Sequence, residues 1–231
     1  MSWYAKPSGA YEIDSNEAKN NMLEIASVLQ NYNFTKESQA AIIGNAYGES
    51  GLNPWRWEGD EVDEYGGYGL YQYTPSTTYL NGATAIQGYS PNLSTSNQTT
   101  GATPLDGKAQ TIVIAENTIG KWYPYCWRDY WDSNEYPELY ALHQNILNTY
   151  GDGDFLYLDD FKKISDLYQA TFAFLSCYEG PLYPNMTARY NYAQSAYSVI
   201  TGGTPIPPTP TPTPTPTKRK MPLWFYLRPY F

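Results

Sequence analysis

The stretch Ala41–Pro54, AIIGNAYGESGLNP, decides the fold of this chain and contains its first candidate for chemistry. Ile42, Ala46 and Glu49 follow the i, i+4, i+7 spacing of one helix face, which predicts an apolar helix that ends in a carboxylate. Gly51 can stop this helix, and the proline cannot continue it. Burial and the negative end of the helix dipole both disfavour the ionised form, so we expect Glu49 to hold a proton, as a general acid must.

A segment rich in glycine and tyrosine, GGYGLYQYTP at 66–75, follows the helix. Glycines allow a backbone to approach a ligand closely, and a glutamine side chain offers both a hydrogen-bond donor and an acceptor. Tyrosine rings stack on sugars while their hydroxyl groups hydrogen-bond. An ordinary hairpin turn is the alternative interpretation. The side chains that we expect to line a saccharide-binding cleft are Tyr68, Tyr71, Gln72 and Tyr73.

Three blocks taken together resemble the phage tail lysozyme family of the lysozyme superfamily. GNAYGESGLNP is similar to the family's G-N-x-x-x-E-S-G-x-x-P motif, and GYGLYQYTP to its G-x-G-L-x-Q-[WY]-T motif, which also resembles the G-L-M-Q motif of lytic transglycosylases and goose-type lysozymes. Phe174–Ala196 resembles the closing helices, where an aromatic-Glu-x-Pro segment precedes an arginine and an Ala-rich helix. The resemblance implies a mainly α (α+β lysozyme-like) fold with a small irregular β region, a peptidoglycan substrate and Glu49 as catalytic acid.

The identity of a second carboxylate is left open by the sequence. Retaining glycosidases place it about 5–5.5 Å from the acid, and inverting enzymes about 6.5–9.5 Å. Acidic residues crowd positions 58–64, and we prefer Glu58 and Asp60 as the catalytic partner. A lytic transglycosylase needs no such partner, because one glutamate acts as acid and then base while the 6-hydroxyl of the sugar attacks. Glu179 in YEGP also ends a predicted helix, and its place in the family suggests a structural role, bonding backbone groups between helices.

Other chemistries find little support in the sequence. Zinc peptidases and amidases usually need two or more histidine ligands, and His143 is the single histidine, so we expect no metal and no cofactor. His143 lies in a helical pattern that favours a surface or core role. Cys126 and Cys177 are too few for a disulfide framework, and we favour two buried free thiols over a single bridge.

Charge is distributed unevenly along the 231 residues. Residues 1–203 carry 23 acidic and 10 basic side chains, a net charge of −13, whereas the last 14 residues carry +4. An acidic domain argues against nucleic-acid binding, which needs a basic surface. The N-terminus has no apolar signal-peptide core, and no stretch approaches the roughly 18 apolar residues of a membrane span. A cell-wall enzyme without its own export signal suits a phage, which delivers enzymes in its particle or releases them through a holin pore.

Periodicity outlines the elements along the chain. Asp14 and Glu17 are spaced like a capping box before an amphipathic helix, and Thr35 is the predicted cap of the helix that ends at Glu49. An irregular β region is expected over 55–75 and a long polar loop over 81–107. Further helical patterns cover 108–121, 136–149, 159–178 and 186–200.

The chain divides into a lysozyme-like catalytic domain over 1–203, a Thr-Pro linker over 204–217 and a basic, aromatic anchor peptide over 218–231. A Pro-rich linker holds its ends apart, and Trp, Tyr, Phe and Arg are common interface anchors. We expect the anchor to bind another phage tail protein, with a membrane-surface contact as the alternative.

We therefore predict a virion-associated tail lysin that binds peptidoglycan glycan strands. It would cleave the bond between N-acetylmuramic acid and N-acetylglucosamine during genome entry. A released endolysin, a lytic transglycosylase and a non-catalytic glycan-binding tail protein are the alternatives.

Overall fold

The computed structural model describes residues 3–63, 65–84 and 105–203. The predicted linker over 204–217, the anchor over 218–231 and most of the predicted polar loop lie outside these residues. Within them the chain is mainly helical, as predicted, and no helix is long and apolar enough to cross a membrane. The α-helices are α1 Asn16–Gln30, α2 Lys36–Ser50, α3 Thr77–Thr84, α4 Asp106–Glu116, α5 Pro137–Tyr150, α6 Leu158–Phe161, α7 Leu167–Phe174 and α8 Met186–Ile200.

Helix α2 is the central element, and the sequence predicted it almost to the residue. Thr35 caps its start, because the Thr35 hydroxyl accepts a hydrogen bond from the Ser38 amide at 3.2 Å. The helix ends at Ser50, one residue beyond Glu49, and Gly51 closes it in the left-handed conformation (φ +60°). The candidate acid therefore lies in the last turn of α2.

Helix α1 has the predicted apolar face but a different cap. Met22, Ile25 and Leu29 are fully buried. The N-cap is Ser15 and not Asp14, since the Ser15 hydroxyl accepts from the Ala18 amide at 3.1 Å. The predicted capping box is therefore wrong by one residue, because the cap is set by which residue has the extended backbone before the first turn.

Helix α2 is enclosed by its neighbours, and each of its residues from 38 to 46 is buried. It packs against α8, α7 and α1. At its crossing with α8, a Cβ atom on Gly44 would lie 2.7 Å from the Ala193 Cα atom, so a larger residue would push the helices apart. The close approach brings the first half of α8 beside the C-terminal end of α2.

The predicted irregular β region is present in the segment after α2. It consists of two isolated antiparallel bridges, Trp57 with Tyr68 and Tyr68 with Tyr73, and a short 3-10 turn over Glu58–Asp60. Tyr68 and Tyr73 exchange two backbone hydrogen bonds of 3.0 and 3.2 Å. This small bridged segment lies beside the end of α2.

The helical patterns of the second half are partly confirmed. The predicted 186–200 helix has the observed bounds of α8, and 136–149 is shifted by one residue in α5. The predicted 159–178 helix is interrupted between α6 and α7, where the Asp166 carboxylate caps α7 by accepting from the Gln169 amide at 2.7 Å. After α7 the chain makes a π-helical turn, Leu175–Glu179. The loop predicted over 81–107 is shorter at both ends, since α3 and α4 extend into this range.

The two cysteines form a disulfide bond, Cys126–Cys177, so the preference for free thiols was wrong. The residues are 51 positions apart, and only the tertiary fold brings them together. The Tyr123 amide donates a hydrogen bond of 2.7 Å to the Cys177 carbonyl next to the bridge. The disulfide thereby ties the 121–131 segment to the π-helical turn.

Candidate active site

A cleft of about 560 Å³ opens where the end of α2, the bridged segment, the 121–131 segment and the π-helical turn meet. Its walls are mainly polar and contain three carboxyl groups, from Glu49, Glu58 and Glu179. The remaining lining residues are Arg56, Gly59, Gln72, Thr74, Lys121 and Pro181. Among the described residues no group of three or more His, Cys, Asp or Glu side chains is placed to hold a metal ion.

Glu49 reaches the cleft with a side chain that is 21 % exposed. One of its carboxylate oxygens accepts a hydrogen bond from Arg189 of α8, whose other terminal nitrogen donates to the Asn45 carbonyl. A Cβ atom on Gly48 would overlap the Arg189 guanidinium, so a glycine at this position leaves room for the pair. The sequence predicted an apolar surrounding for Glu49 and did not anticipate the arginine.

The two preferred partner carboxylates are separated by the fold. Glu58 lines the cleft, and its Oε2 atom accepts a hydrogen bond from the Gly67 amide at 2.9 Å. Asp60 is not among the residues that line it. Its Oδ1 atom accepts from the Gly9 amide at 2.6 Å and lies 3.4 Å from the Arg56 guanidinium. The structure therefore brings together Glu49 and Glu58, but not Asp60.

Gln72 lines the cleft as predicted, and its backbone adopts a positive φ of +44°. Its side-chain amide donates to the Gly69 carbonyl at 3.0 Å, which fixes its orientation. Its neighbours Tyr68, Tyr71 and Tyr73 are fully buried and do not line the cleft, contrary to the prediction. The bridge between Tyr68 and Tyr73 directs both rings into the core, where Tyr73 stacks on Tyr79 with ring centres 5.7 Å apart.

Gly69 also has a different role from the predicted one. A Cβ atom there would lie 2.6 Å from the Gln110 side-chain nitrogen, so this glycine makes room for a core residue. The buried Gln110 side chain accepts from the Leu70 amide at 2.7 Å and donates to the Pro54 carbonyl at 2.8 Å. The bridged segment is therefore fastened to α4 from behind, and its front presents Gln72 to the cleft.

Glu179 is the residue that sequence reasoning undervalued. It ends the π-helical turn and lines the same cleft as Glu49, with a side chain only 5 % exposed. Burial raises the pKa of Glu179 from 4.5 to about 7; Lys121 opposes this rise, and the nearby Glu49 adds to it. The signal was present in the sequence, because Glu179, like Glu49, stands at a helix end just before a glycine-containing break.

A mainly helical domain with a glutamate at the end of its central helix, facing a small bridged segment across a polar cleft, defines a lysozyme-like protein. Residues 20–200 match the sequence profile of the phage tail lysozyme family. The chain belongs to that family.

One curated relative is Morphogenesis protein 1 of Bacillus phage B103, which is 43 % identical over 51 residues. The match covers 22 % of this chain and 14 % of the relative, so the chain spans only a small part of that protein's length.

Proposed function

We propose that this chain is a peptidoglycan glycosidase that cleaves the bond between N-acetylmuramic acid and N-acetylglucosamine. The observation that carries the proposal is the position of Glu49 in a polar cleft of a phage tail lysozyme domain, with Glu58 and Gln72 also lining that cleft. A glycan strand in the cleft would meet a proton donor, a second carboxylate and an amide suited to hydroxyl and acetamido groups.

In the proposed reaction Glu49 transfers its proton to the glycosidic oxygen as the bond to the anomeric carbon breaks. The carbohydrate leaving group departs as an alcohol, and water adds to the anomeric carbon while one of its protons passes to a carboxylate of the cleft. Glu58 is the preferred second carboxylate, because it lines the cleft and its Oε2 atom is held by the Gly67 amide. Asp60 is less suited, since it does not line the cleft and its carboxylate is already engaged by the Gly9 amide and the Arg56 guanidinium.

The test is mass spectrometry of the fragments released from purified cell walls. Glu49→Gln keeps the size of the side chain but cannot donate the proton, so lysis should fall by at least about 10²-fold in a folded protein. Glu58→Gln should also lose most activity, whereas the exposed Glu61→Gln serves as a matched control that retains it. Near-wild-type lysis by Glu49→Gln would refute the proposal.

The same spectra distinguish the second candidate reaction. Hydrolysis leaves fragments with reducing ends, which is the outcome we expect because Glu58 shares the cleft. A transglycosylase leaves 1,6-anhydro rings, and it would tolerate Glu58→Gln. A protein that binds glycan without releasing fragments would instead be a non-catalytic tail component.

We further propose that the enzyme is part of the phage particle and acts on the host wall during genome entry. The membership in a phage tail lysozyme family and the local similarity to a phage morphogenesis protein support this proposal. A disulfide also suits a protein that works outside a reducing cytoplasm. Detection of the chain in purified particles would favour this assignment over a released endolysin, which would be found in the lysate alone.

A further inference from the structure

Glu179 lines the cleft but has no role in the reaction proposed above. A local feature of the fold, the π-helical turn, places it there. The π-helical turn Leu175–Glu179 extends α7, and Gly180 ends it in the left-handed conformation (φ +58°). π-helical turns of this kind occur frequently at functional sites. The Cys126–Cys177 bridge and the hydrogen bond from the Arg128 Nε atom to the Ser176 carbonyl, 2.8 Å long, hold the turn in place.

The carboxyl group of Glu179 has few partners. Its Oε1 atom is buried and has no hydrogen-bond partner among the described residues. Its Oε2 atom lies 3.9 Å from the Lys121 ammonium nitrogen, which is long for a hydrogen bond. A glutamate with a purely structural role would be expected to satisfy both oxygens, since a buried polar group without a partner is costly. These contacts therefore favour a role in the cleft.

The charges around Glu179 come from each element that encloses it. Glu49 of α2 opposes its ionisation, while Lys121 and Arg128 of the 121–131 segment and Arg189 of α8 favour it. Burial is the largest influence, and the result is a pKa of about 7. Glu58 and Arg56 also line this cleft. Glu179 can therefore hold or release a proton at the pH at which a cell-wall enzyme works.

Glu49 alone is in a difficult position for a general acid. Its carboxylate bonds the Arg189 guanidinium, and a guanidinium attracts a carboxylate in its charged form. A donor must instead arrive at the reaction with its proton in place. A second carboxyl group in the same cleft works against Arg189, because two carboxylates that share a site cannot both be ionised cheaply.

We propose that Glu49 and Glu179 act as a coupled pair that keeps one proton in the cleft. Glu179 is a positioning residue in this pair, and it acts on the reaction only through Glu49. This inference rests on the proposed role of Glu49 as the acid. When Glu179 is ionised, its charge retains the proton on Glu49. Once that proton has passed to the glycosidic oxygen, both carboxylates are ionised, and the pair regains one proton from the water molecule that adds to the anomeric carbon.

The experiment compares lysis by the full chain from pH 5 to pH 9 for the wild type, Glu179→Gln, Glu179→Asp and Lys121→Met. Glu179→Gln removes the negative charge, so the alkaline decline in kcat should move to lower pH by about one unit. At its optimum kcat should fall at least about 10-fold, with KM within about 2-fold of wild type. Glu179→Asp keeps the negative charge, so the alkaline decline in its kcat should return part of the way to the wild-type pH.

Lys121→Met tests the pair from the other side. Loss of the ammonium group makes the pair hold its proton more tightly, so the alkaline limb should move to higher pH, opposite to Glu179→Gln. The control is Glu61→Gln, which removes an exposed charge close to the cleft and should leave the profile unchanged. Circular dichroism and thermal melts of each variant establish that it is folded.

Two results would overturn the inference. The first is a Glu179→Gln enzyme with a lowered melting temperature and an unmoved pH profile, as a structural role requires. The second is a shift of the same sign in Glu179→Gln and Lys121→Met. Normal lysis by Glu49→Gln would instead refute the proposed function and the pair together. The two failures are therefore distinguishable, because failure of the pair alone leaves Glu49→Gln inactive.

Discussion

Glu49 depends for its position on two residues that do not themselves line the cleft, Arg189 and Gly48. Arg189 bonds both the Glu49 carboxylate and the Asn45 carbonyl, and it thereby connects α8 to the last two turns of α2. Gly48 leaves room for the guanidinium group. A planar guanidinium donates in two fixed directions, which an ammonium group cannot reproduce. The orientation of the candidate acid is therefore set by a side chain from another helix.

We predict that Arg189→Gln lowers kcat for wall lysis by about 10²-fold, because a small displacement of a catalytic group can have an effect of this size. KM should change little, since Arg189 is not among the residues that line the cleft. Steady-state kinetics on purified walls measure both. Lys163→Gln, which removes an exposed ion-pairing cation from another surface, is the control.

Gly48→Ala tests the same arrangement without touching either charge. Its Cβ atom would displace the guanidinium, so its kcat should fall in the same direction as that of Arg189→Gln. Full activity in both variants would show that Arg189 does not position Glu49.

The predicted residues that line the cleft are those with a local signal in the sequence. Glu49 and Gln72 reach the cleft because a helix end and a tight turn place them there. The tyrosines of the same turn were misassigned, because a pattern of Tyr and Gly does not reveal which face of a bridged segment meets the core. Burial of Tyr68 and Tyr73 is decided by contacts with Tyr79 and Gln110, which lie outside the turn.

Among the elements, the π-helical turn and the 121–131 segment form one side of the cleft, and the disulfide joins them. The 159–178 pattern was predictable as helical, because its apolar residues recur with helical spacing. The sequence analysis did not use the local signal for its break, which is the Asp166 carboxylate that caps α7 through the Gln169 amide. The π-helical turn was not predictable, because Cys126 and Arg128, which hold it, are far away in sequence. The same holds for the disulfide, whose two cysteines lie in segments with no shared motif.

We predict that the double variant Cys126→Ser, Cys177→Ser is less stable by about 2–4 kcal/mol, because the bridge restricts the unfolded chain. For a domain of this size the melting temperature should fall by roughly 4–16 °C. Lysis should fall too, since Glu179 lies two residues from Cys177. Thermal melts with and without reductant provide the check. Reductant should lower the melting temperature of the wild type and not that of the double variant, and an insensitive wild type would contradict the prediction.

At the scale of the whole molecule, two buried titratable groups give stability opposite dependences on pH. The pKa of Glu179 is raised from 4.5 to about 7 by burial, so its contribution to stability is present below pH 4.5 and is lost as pH rises to 7. Burial lowers the pKa of His143 from 6.5 to about 4. Its contribution is present above pH 6.5 and is lost as pH falls to 4.

We predict that Glu179→Gln gains unfolding free energy relative to wild type as pH rises from 4.5 to 7. His143→Gln should gain relative to wild type as pH falls from 6.5 to 4. Urea unfolding at half-unit pH steps measures both differences. Curves that run parallel to the wild type across these windows would show that the two groups titrate alike in the folded and unfolded chain.

The final prediction concerns the division of the chain at residue 203. Helix α8 ends at Ile200, and the Gly203 amide donates to the Ser198 carbonyl at 2.7 Å, so the helix is closed before the Pro-rich sequence begins. The −13 charge of residues 1–203 and the +4 charge of the last 14 residues suit different partners. Truncation after Gly203 should therefore leave the melting temperature and lysis of purified walls unchanged.

The truncated protein should nevertheless be missing from assembled particles if residues 218–231 bind another tail protein. Quantitative mass spectrometry of particles from a phage that encodes the truncated chain measures this directly. The matched control replaces Trp224, Phe225 and Tyr226 by alanine in the full chain, which removes the aromatic anchors and keeps the linker and the basic residues. Loss of both proteins from the particle would assign docking to the aromatic residues, whereas incorporation of the truncated chain at full copy number would contradict the anchor.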